Sequence, residues 1–279
     1  MGATCTHGVS VDHPRSRRFN FSDLFWKGDG VRAADFYTGI VADVYAALRS
    51  TTFDAGRYLE FVRDAGQPAL ELGCGDDGPF LELLRRGIDV DGVDSSQDML
   101  DRCQAKADNE GLRIATYCQP MQDLALPRAY RAIYLAGPTF NLLPDDDAAR
   151  STLQGIADHL EPGGQAKVPL WIPPATDQQE FGRTREAGVA GAMTARYTIE
   201  SEDYDETGRT RCTHTRYELA GGRSTDAVRR DWIIHWHTPR GVTELAQDAG
   251  HTVKHLAPVE NREFTAHLQR PSSIPAADL

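Results

Sequence analysis

Lysine is scarce in this chain of 279 residues: Lys27, Lys106, Lys167 and Lys254 are all there is, and 41 acidic side chains outweigh 30 basic ones to give a net charge of −11. No basic block runs longer than Arg15-Ser-Arg-Arg18. A phosphate backbone is gripped by clustered Lys and Arg that displace condensed counterions, so this balance argues against nucleic acid as a partner. Cysteine is sparse too. The five (Cys5, Cys74, Cys103, Cys118, Cys212) are odd in number, scattered and never arranged as CxxC. Neither a disulfide framework nor a zinc site is indicated, and a reducing compartment fits. Long apolar runs are missing: nothing approaches the ~20 consecutive apolar residues of a membrane helix, and MGATCTHGVSVDHPRSRRF lacks the apolar centre of a signal peptide. A cytoplasmic protein without membrane contact is expected. With 40% hydrophobic and 25% charged residues and no internal repeat, the chain reads as one globular domain with an appendage.

Periodicity divides the chain. From Phe19 to Phe61 the pattern is helical, and Phe36, Ile40, Val44, Ala47 and Leu48 form one apolar stripe suited to a core, which predicts an N-terminal helical cap over 1–60. Between Ala69 and Ile172 short apolar runs alternate with amphipathic ones, as in the crossover units of a parallel sheet. Strands are expected at 69–72, 88–93, 113–118, 131–137 and 165–172. Helices are expected at 80–86, 97–110 and 145–160, the last ended by Pro162-Gly163-Gly164. From Met193 to His237 polar residues alternate (Thr194, Arg196, Thr198, Glu200; then Arg211, Thr213, Thr215, Tyr217), with turns at Glu206-Thr-Gly208 and Gly221-Gly222. These predict an antiparallel lid within 176–237, whose exposed strands allow a homodimer. The tail, 238–279, returns to the core pattern of 61–175, with a helix at 240–249.

The strongest local signal is ALELGCGDDGPF at 69–80, a strand running into a glycine turn and then a helix opened by Gly78-Pro79. Glycines admit a ligand close to the backbone, and a helix N-terminus offers unpaired N–H groups and partial positive charge. Gly73-x-Gly75-x-x-Gly78 reads as GxGxxG, with Asp94 following at the tip of the second strand, where an acid binds ribose hydroxyls. This spacing alone fits NAD or S-adenosylmethionine. Glu71, inside the strand before the glycines, can reach a cationic amine, which S-adenosylmethionine offers there and NAD does not.

Four segments in order resemble the class I S-adenosylmethionine-dependent methyltransferases of the small-molecule, natural-product branch: Glu71-Leu-Gly-Cys-Gly75, Val90-Asp-Gly-Val-Asp-Ser-Ser-Gln-Asp-Met-Leu100, Tyr134-Leu-Ala-Gly-Pro-Thr-Phe140 and Leu160-Glu-Pro-Gly-Gly164. The resemblance covers residues 65–172 and continues more weakly through the tail. It implies an α/β fold with a Rossmann-like seven-stranded sheet whose last hairpin is reversed. It also implies S-adenosyl-L-methionine as cofactor and S-adenosyl-L-homocysteine as product. Glu71, Gly73 and Gly75 would line the methionine end, Asp94 would hold the ribose, and Ser95 and Met99 would lie near the adenine, with Met121 and Ala136 on the same surface. Two positions depart from the pattern. The third glycine of the loop falls on Asp77, with Gly78 next to it, and the acid that usually accepts from the adenine amino group is Pro120 before Met121, so that Gln119, Gln122 or backbone groups must serve.

In-line transfer from a sulfonium needs alignment and exclusion of water, and good alignment alone supplies on the order of 7 kcal/mol. A neutral amine acceptor then loses a proton, whereas a hydroxyl usually needs a base or a metal. Trp26, Phe36, Tyr37 and Tyr45 are suited to closing over the cofactor, and Tyr37 resembles the tyrosine that small-molecule members place beside the sulfonium. Asn141 and Trp171, at strand carboxyl ends, are candidate acceptor contacts. In Trp232-Ile-Ile-His-Trp-His237, alternation puts His235 and His237 on one face, His235 as a candidate proton acceptor and His237 as a substrate contact. No third metal ligand accompanies them in sequence, so no metal is expected. Asp145-Asp-Asp147 reads as acids favoured in the first turn of a helix and is given no chemistry. The expected function is methyl transfer to a small-molecule amine of antibiotic or amino-sugar type. The alternatives are O-methylation, non-methylating cyclase or pericyclase chemistry on the same fold, an NAD(P)-binding oxidoreductase and a non-enzymatic partner protein.

Overall fold

The computed structural model of the chain describes residues 36–48, 54–189, 191–221, 224–257 and 261–272. Among them β1 (Ala69–Leu72) is buried at every position, because it lies between two parallel neighbours and has helices over both faces. Those neighbours are β2 (Val90–Asp94) and β4 (Tyr130–Leu135), with Leu72 opposite both Val93 and Leu135. Beyond β2 lies β3 (Thr116–Cys118), and beyond β4 lies β5 (Leu160–Trp171). The chain returns as β10 (Thr252–Leu256) and then β11 (Glu263–Gln269), and β11 pairs antiparallel with both β5 and β10. The order β10-β11-β5-β4-β1-β2-β3 is the seven-stranded sheet with a reversed last hairpin.

Helices α1 (Ile40–Leu48), α2 (Gly56–Ala65), α3 (Gly78–Arg85), α4 (Gln97–Glu110), α5 (Asp146–His159) and α6 (Pro239–Asp248) connect or cover the strands. Their limits have local causes. The Ser96 hydroxyl caps α4 by accepting from the Met99 N–H, and Gly111 ends it in the left-handed conformation. Asp145 caps α5 through the Ala148 N–H, and Thr238 caps α6 ahead of Pro239. One expected boundary was displaced. Helix α5 stops at His159 and β5 begins at Leu160, so Pro162-Gly163-Gly164 forms an irregularity inside the strand and not the end of the helix. A Cβ at Gly164 would meet three carbonyl oxygens at 2.9–3.2 Å, which is why only glycine passes there.

The expected antiparallel strands form a separate four-stranded meander of β6 (Thr184–Val189), β7 (Met193–Asp205), β8 (Thr210–Gly221) and β9 (Ser224–His235). The apolar stripe of α1 packs on this sheet: Phe36, Val41 and Val44 meet Ala195, Tyr217 and Trp232. The polar alternation of β8 does not mark a solvated face, since Arg211, Thr213, Thr215 and Tyr217 are all buried on the same side as that cluster. A register shift in β7 between Ile199 and Ser201 moves Glu202 opposite Thr213. Glu202 therefore joins the buried face and pairs with Arg211 at 3.6 Å.

Candidate active site

The chain leaves β1 through Gly73, Cys74 and Gly75 and enters α3 at Gly78. Gly73 and Gly78 have φ of +73° and +49°, where a side chain would be strained. A Cβ at Gly73 would also lie 2.7 Å from Thr139 Cγ2, and one at Gly78 would lie 3.3 Å from Glu71 Oε1. The left-handed turn that the sequence left between Asp77 and Gly78 thus falls on Gly78. Alongside, the N–H groups of Gly73 and Cys74 both donate to Val93 O, which ties the loop to the end of β2. Asp94 continues from that strand, its two oxygens accepting from Gly75 N and Ser96 N at 2.9 Å each. Burial pushes the Asp94 carboxyl up, and these N–H groups act against the shift.

Glu71 is fully buried in the middle of β1. The Tyr134 hydroxyl donates to its Oε2 at 2.7 Å, while Oε1 has no hydrogen-bond partner among the described residues. Burial drives its carboxyl well above the ordinary range, opposed by the Tyr134 hydrogen bond and reinforced by Asp94. A buried carboxylate oxygen without a donor, on the wall of a cleft, is chemically suited to a cationic amine on a ligand.

The cleft beside them is walled by Tyr37, Tyr45, Glu71, Gly73, Cys74, Gly75, Gly78, Val93, Asp94, Ser95, Met99, Gln119, Pro120, Met121, Gln122, Ala136, Thr139, Leu142, Leu143 and Pro144. Every residue expected near the cofactor (Glu71, Gly73, Gly75, Asp94, Ser95, Met99, Met121, Ala136) lies on this wall, and Tyr37 joins them. Of the two glutamines beside Pro120, Gln119 has its side-chain carbonyl on the Ala125 N–H at 2.7 Å, which leaves Gln122 or backbone groups as the candidate acceptors. Tyr37 is held over the tip of β2 by the chain that carries it. Its carbonyl accepts from Ser96 Oγ at 2.5 Å, Gly39 N donates to Asp98 Oδ2 at 2.5 Å, and Asp43 pairs with Arg102 at 2.6 Å, all on α4 or its cap. Burial, then the neighbouring Tyr45, drive the Tyr37 phenol well above its usual range, so at neutral pH it is a hydrogen-bond donor and not a base.

The residues expected at the acceptor are placed elsewhere. Asn141 is buried, and its side chain is spent on main chain: Nδ2 donates to Trp171 O at 2.8 Å and His235 O at 3.2 Å, and Oδ1 accepts from Trp171 N at 3.0 Å. It latches β5 to β9. The Trp171 ring lies under the Arg211 guanidinium, 4.9 Å from its centroid, with the Trp232 ring on the same cation at 5.6 Å. Sequence reasoning missed Arg211, Glu202 and Tyr134, since their roles arise from the β7 register shift and from cross-strand neighbours that no local pattern announces. His235 and His237 lie together, in alternation with Trp232, as expected, and both are buried. Their rings lie 4.9 Å apart beside Asp146, outside the walls of the cleft. Burial lowers both imidazoles, His237 to about 4. Asp146 thus does more than serve the first turn of α5. Trp26 lies outside the described residues.

Comparisons with known proteins agree with this fold. Residues 69–164 match a family described as a methyltransferase domain. A cypemycin N-terminal methyltransferase of a Streptomyces species is 30% identical over 129 residues, covering 46% of this chain and 49% of the relative. A dTDP-3-amino-3,4,6-trideoxy-alpha-D-glucopyranose N,N-dimethyltransferase of Streptomyces venezuelae is 25% identical over 152 residues, 54% of this chain and 56% of the relative. The chain thus spans about half the length of the curated relatives it matches. Among solved structures, the CcbJ methyltransferase of Streptomyces caelestis superposes with a TM-score of 0.66 over 85% of this chain and 98% of its own, at 20% identity, which shows the shared fold.

Proposed function

We propose that this chain, whose residues 69–164 form a methyltransferase domain on a class I methyltransferase fold, transfers the methyl group of S-adenosyl-L-methionine to an amine nitrogen of a small molecule of amino-sugar or antibiotic type. The observation that carries the reading is the buried Glu71 carboxyl on the cleft wall, held by Tyr134 on one oxygen and without a hydrogen-bond partner among the described residues on the other. When bound, the donor supplies an electrophilic methyl on a cationic sulfur. The residues present fit such a ligand. Glu71 Oε1 takes its amine, the left-handed glycines let its methionine end lie against the backbone, and Asp94, already fixed by two N–H groups, takes the ribose hydroxyls. Met99 and Met121 flank the adenine, with Gln122 or backbone groups accepting from its amino group.

On the open side Tyr37 and Tyr45 exclude water and present electron-rich faces and a phenol oxygen to positive charge. The described walls carry no histidine, lysine or arginine, and burial keeps the Tyr37 phenol protonated. Nitrogen is the acceptor that such a site serves, because an amine entering neutral attacks without a base and releases its proton afterwards. The relatives named as a cypemycin N-terminal methyltransferase and an amino-sugar N,N-dimethyltransferase support the same acceptor class.

The test is calorimetry with S-adenosylmethionine, S-adenosylhomocysteine and NAD, followed by incubation with methyl-labelled donor and a panel of amino sugars and their hydroxyl analogues. Binding of the two adenosyl compounds and label on amines alone supports the proposal. Binding of NAD alone, or label on hydroxyls alone, contradicts it.

A further inference from the structure

The side chains of Asp146, His235 and His237 converge at a place that methyl transfer leaves unused. Asp146 comes from the first turn of α5 in the core, whereas His235 ends β9 of the lid and His237 lies in the link to α6. Asp146 Oδ1 is 3.5 Å from His235 Nε2 and 3.5 Å from His237 Nδ1. These distances are too long for good hydrogen bonds. They are close to the ~3.3 Å edge of a tetrahedron whose ligands stand about 2.0 Å from a central ion. Asp146 Oδ1 and all four imidazole nitrogens are buried with no hydrogen-bond partner among the described residues. Three of these atoms, Asp146 Oδ1, His235 Nε2 and His237 Nδ1, converge on one another, and three buried acceptors in one spot are not what a packed interior retains unless something joins them.

The surroundings fit an ion. Arg209 Nη2 donates to the other oxygen of Asp146 at 2.6 Å, which fixes the carboxylate with Oδ1 turned to the imidazoles. The Asp146 side chain is 43% exposed through atoms other than the buried Oδ1, so the three ligand atoms lie just beneath the surface. We propose that Asp146, His235 and His237 bind one divalent transition-metal ion and that this ion clasps the lid to the core. Two imidazoles and a carboxylate with one open position suit Zn2+ and are a poor match for Mg2+ or Ca2+. The sequence shows His-x-His without a third ligand because that ligand lies on another element. A second grouping, Cys212, His214 and Asp231, lacks this character: both His214 nitrogens are already bonded, to Asp231 at 2.7 Å and Asp203 at 3.1 Å.

The test uses the full chain without an affinity tag, stripped with a chelator, dialysed and titrated with Zn2+ against a chromophoric chelator. Binding of one equivalent is expected, and excess Zn2+ should raise Tm by about 5–10 °C where Mg2+ does not. His237→Ala and His235→Ala should each weaken Zn2+ binding by more than the ~100-fold that loss of an outer-sphere partner costs. Should neither variant fold, Co2+ bound to the wild-type chain decides: a ligand-field band without thiolate charge transfer supports the site. Zn2+ should also slow proteolysis of the lid. No saturable Zn2+ binding, binding unchanged in the His237 variant, or a thiolate band pointing to Cys212 would overturn the site, and proteolysis indifferent to Zn2+ would overturn the clasp.

Discussion

Replacing Glu71 by glutamine keeps the shape of the side chain and removes its charge, which separates its two proposed roles. For donor binding, Oε1 of this cleft-wall residue has no partner among the described residues, so the variant loses the charge-assisted hydrogen bond proposed to the ligand amine. Such a bond is worth about 1.5–3 kcal/mol, or about 10- to 150-fold in Kd. For folding the sign is reversed. Burial raises the Glu71 carboxyl, so the folded chain holds that proton more tightly than the unfolded one. Its contribution to stability is therefore full below the ordinary carboxyl range and is lost as pH climbs toward the raised value. The Glu71→Gln variant carries no such penalty, and in its free form it should melt above the wild type at neutral pH. Donor affinity has the opposite slope, because a cationic amine selects the carboxylate: Kd should improve by at most about tenfold per pH unit through the raised value and then level off. Calorimetry in two buffers of different ionisation enthalpy should record up to one proton released per S-adenosylhomocysteine bound by the wild type and none by the variant. Equal affinities and equal pH slopes for both proteins would refute the placement of the amine at Glu71.

Asp94→Ala should weaken donor binding by about 1–3 kcal/mol, read as Kd by the same calorimetry; unchanged affinity would mean that the ribose lies elsewhere. Gly73→Ala combines a φ of +73° with a contact of 2.7 Å to Thr139 Cγ2, and the Thr139 hydroxyl is tied to Ala136 O at 3.1 Å. A loss of about 1–3 kcal/mol in denaturant unfolding is expected, partly restored by adding Thr139→Ser, which removes the offending methyl. Arg211→Ala removes the cation 3.6 Å from the Glu202 carboxylate, which keeps only its hydrogen bonds from the Thr176 N–H and hydroxyl; a loss of about 1–3 kcal/mol is expected, and the second change Glu202→Gln should recover part of it. No recovery would assign the loss to the Trp171 and Trp232 stacking instead.

The cofactor side of the cleft was legible in the sequence because its parts are local. A strand, a glycine turn and a helix start are adjacent in the chain, so Glu71, Gly73, Gly75 and Asp94 can be placed from spacing and type. The opposite side was not legible, for three physical reasons. Glu202 reaches Arg211 only because a one-residue shift in β7 inverts the alternation beyond it, and period-two reading assumes an unbroken register. Asn141 reads as a ligand contact from its position after β4, but its amide is spent bridging two strand ends. Strand β6, exposed or half-exposed along its length, carries too little apolar periodicity to announce itself. The Asp146 contact with the histidine pair joins two distant elements, and pairings of that kind leave no trace in local spacing.

A crystal structure of the chain with S-adenosylhomocysteine tests the placement of the donor most directly. The amino group should lie within hydrogen-bonding distance of Glu71 Oε1, the ribose hydroxyls on Asp94 and the adenine between Met99 and Met121, with Tyr37 over the sulfur. A ligand bound with its amine away from Glu71, or a cleft that takes a nicotinamide dinucleotide instead, would contradict it.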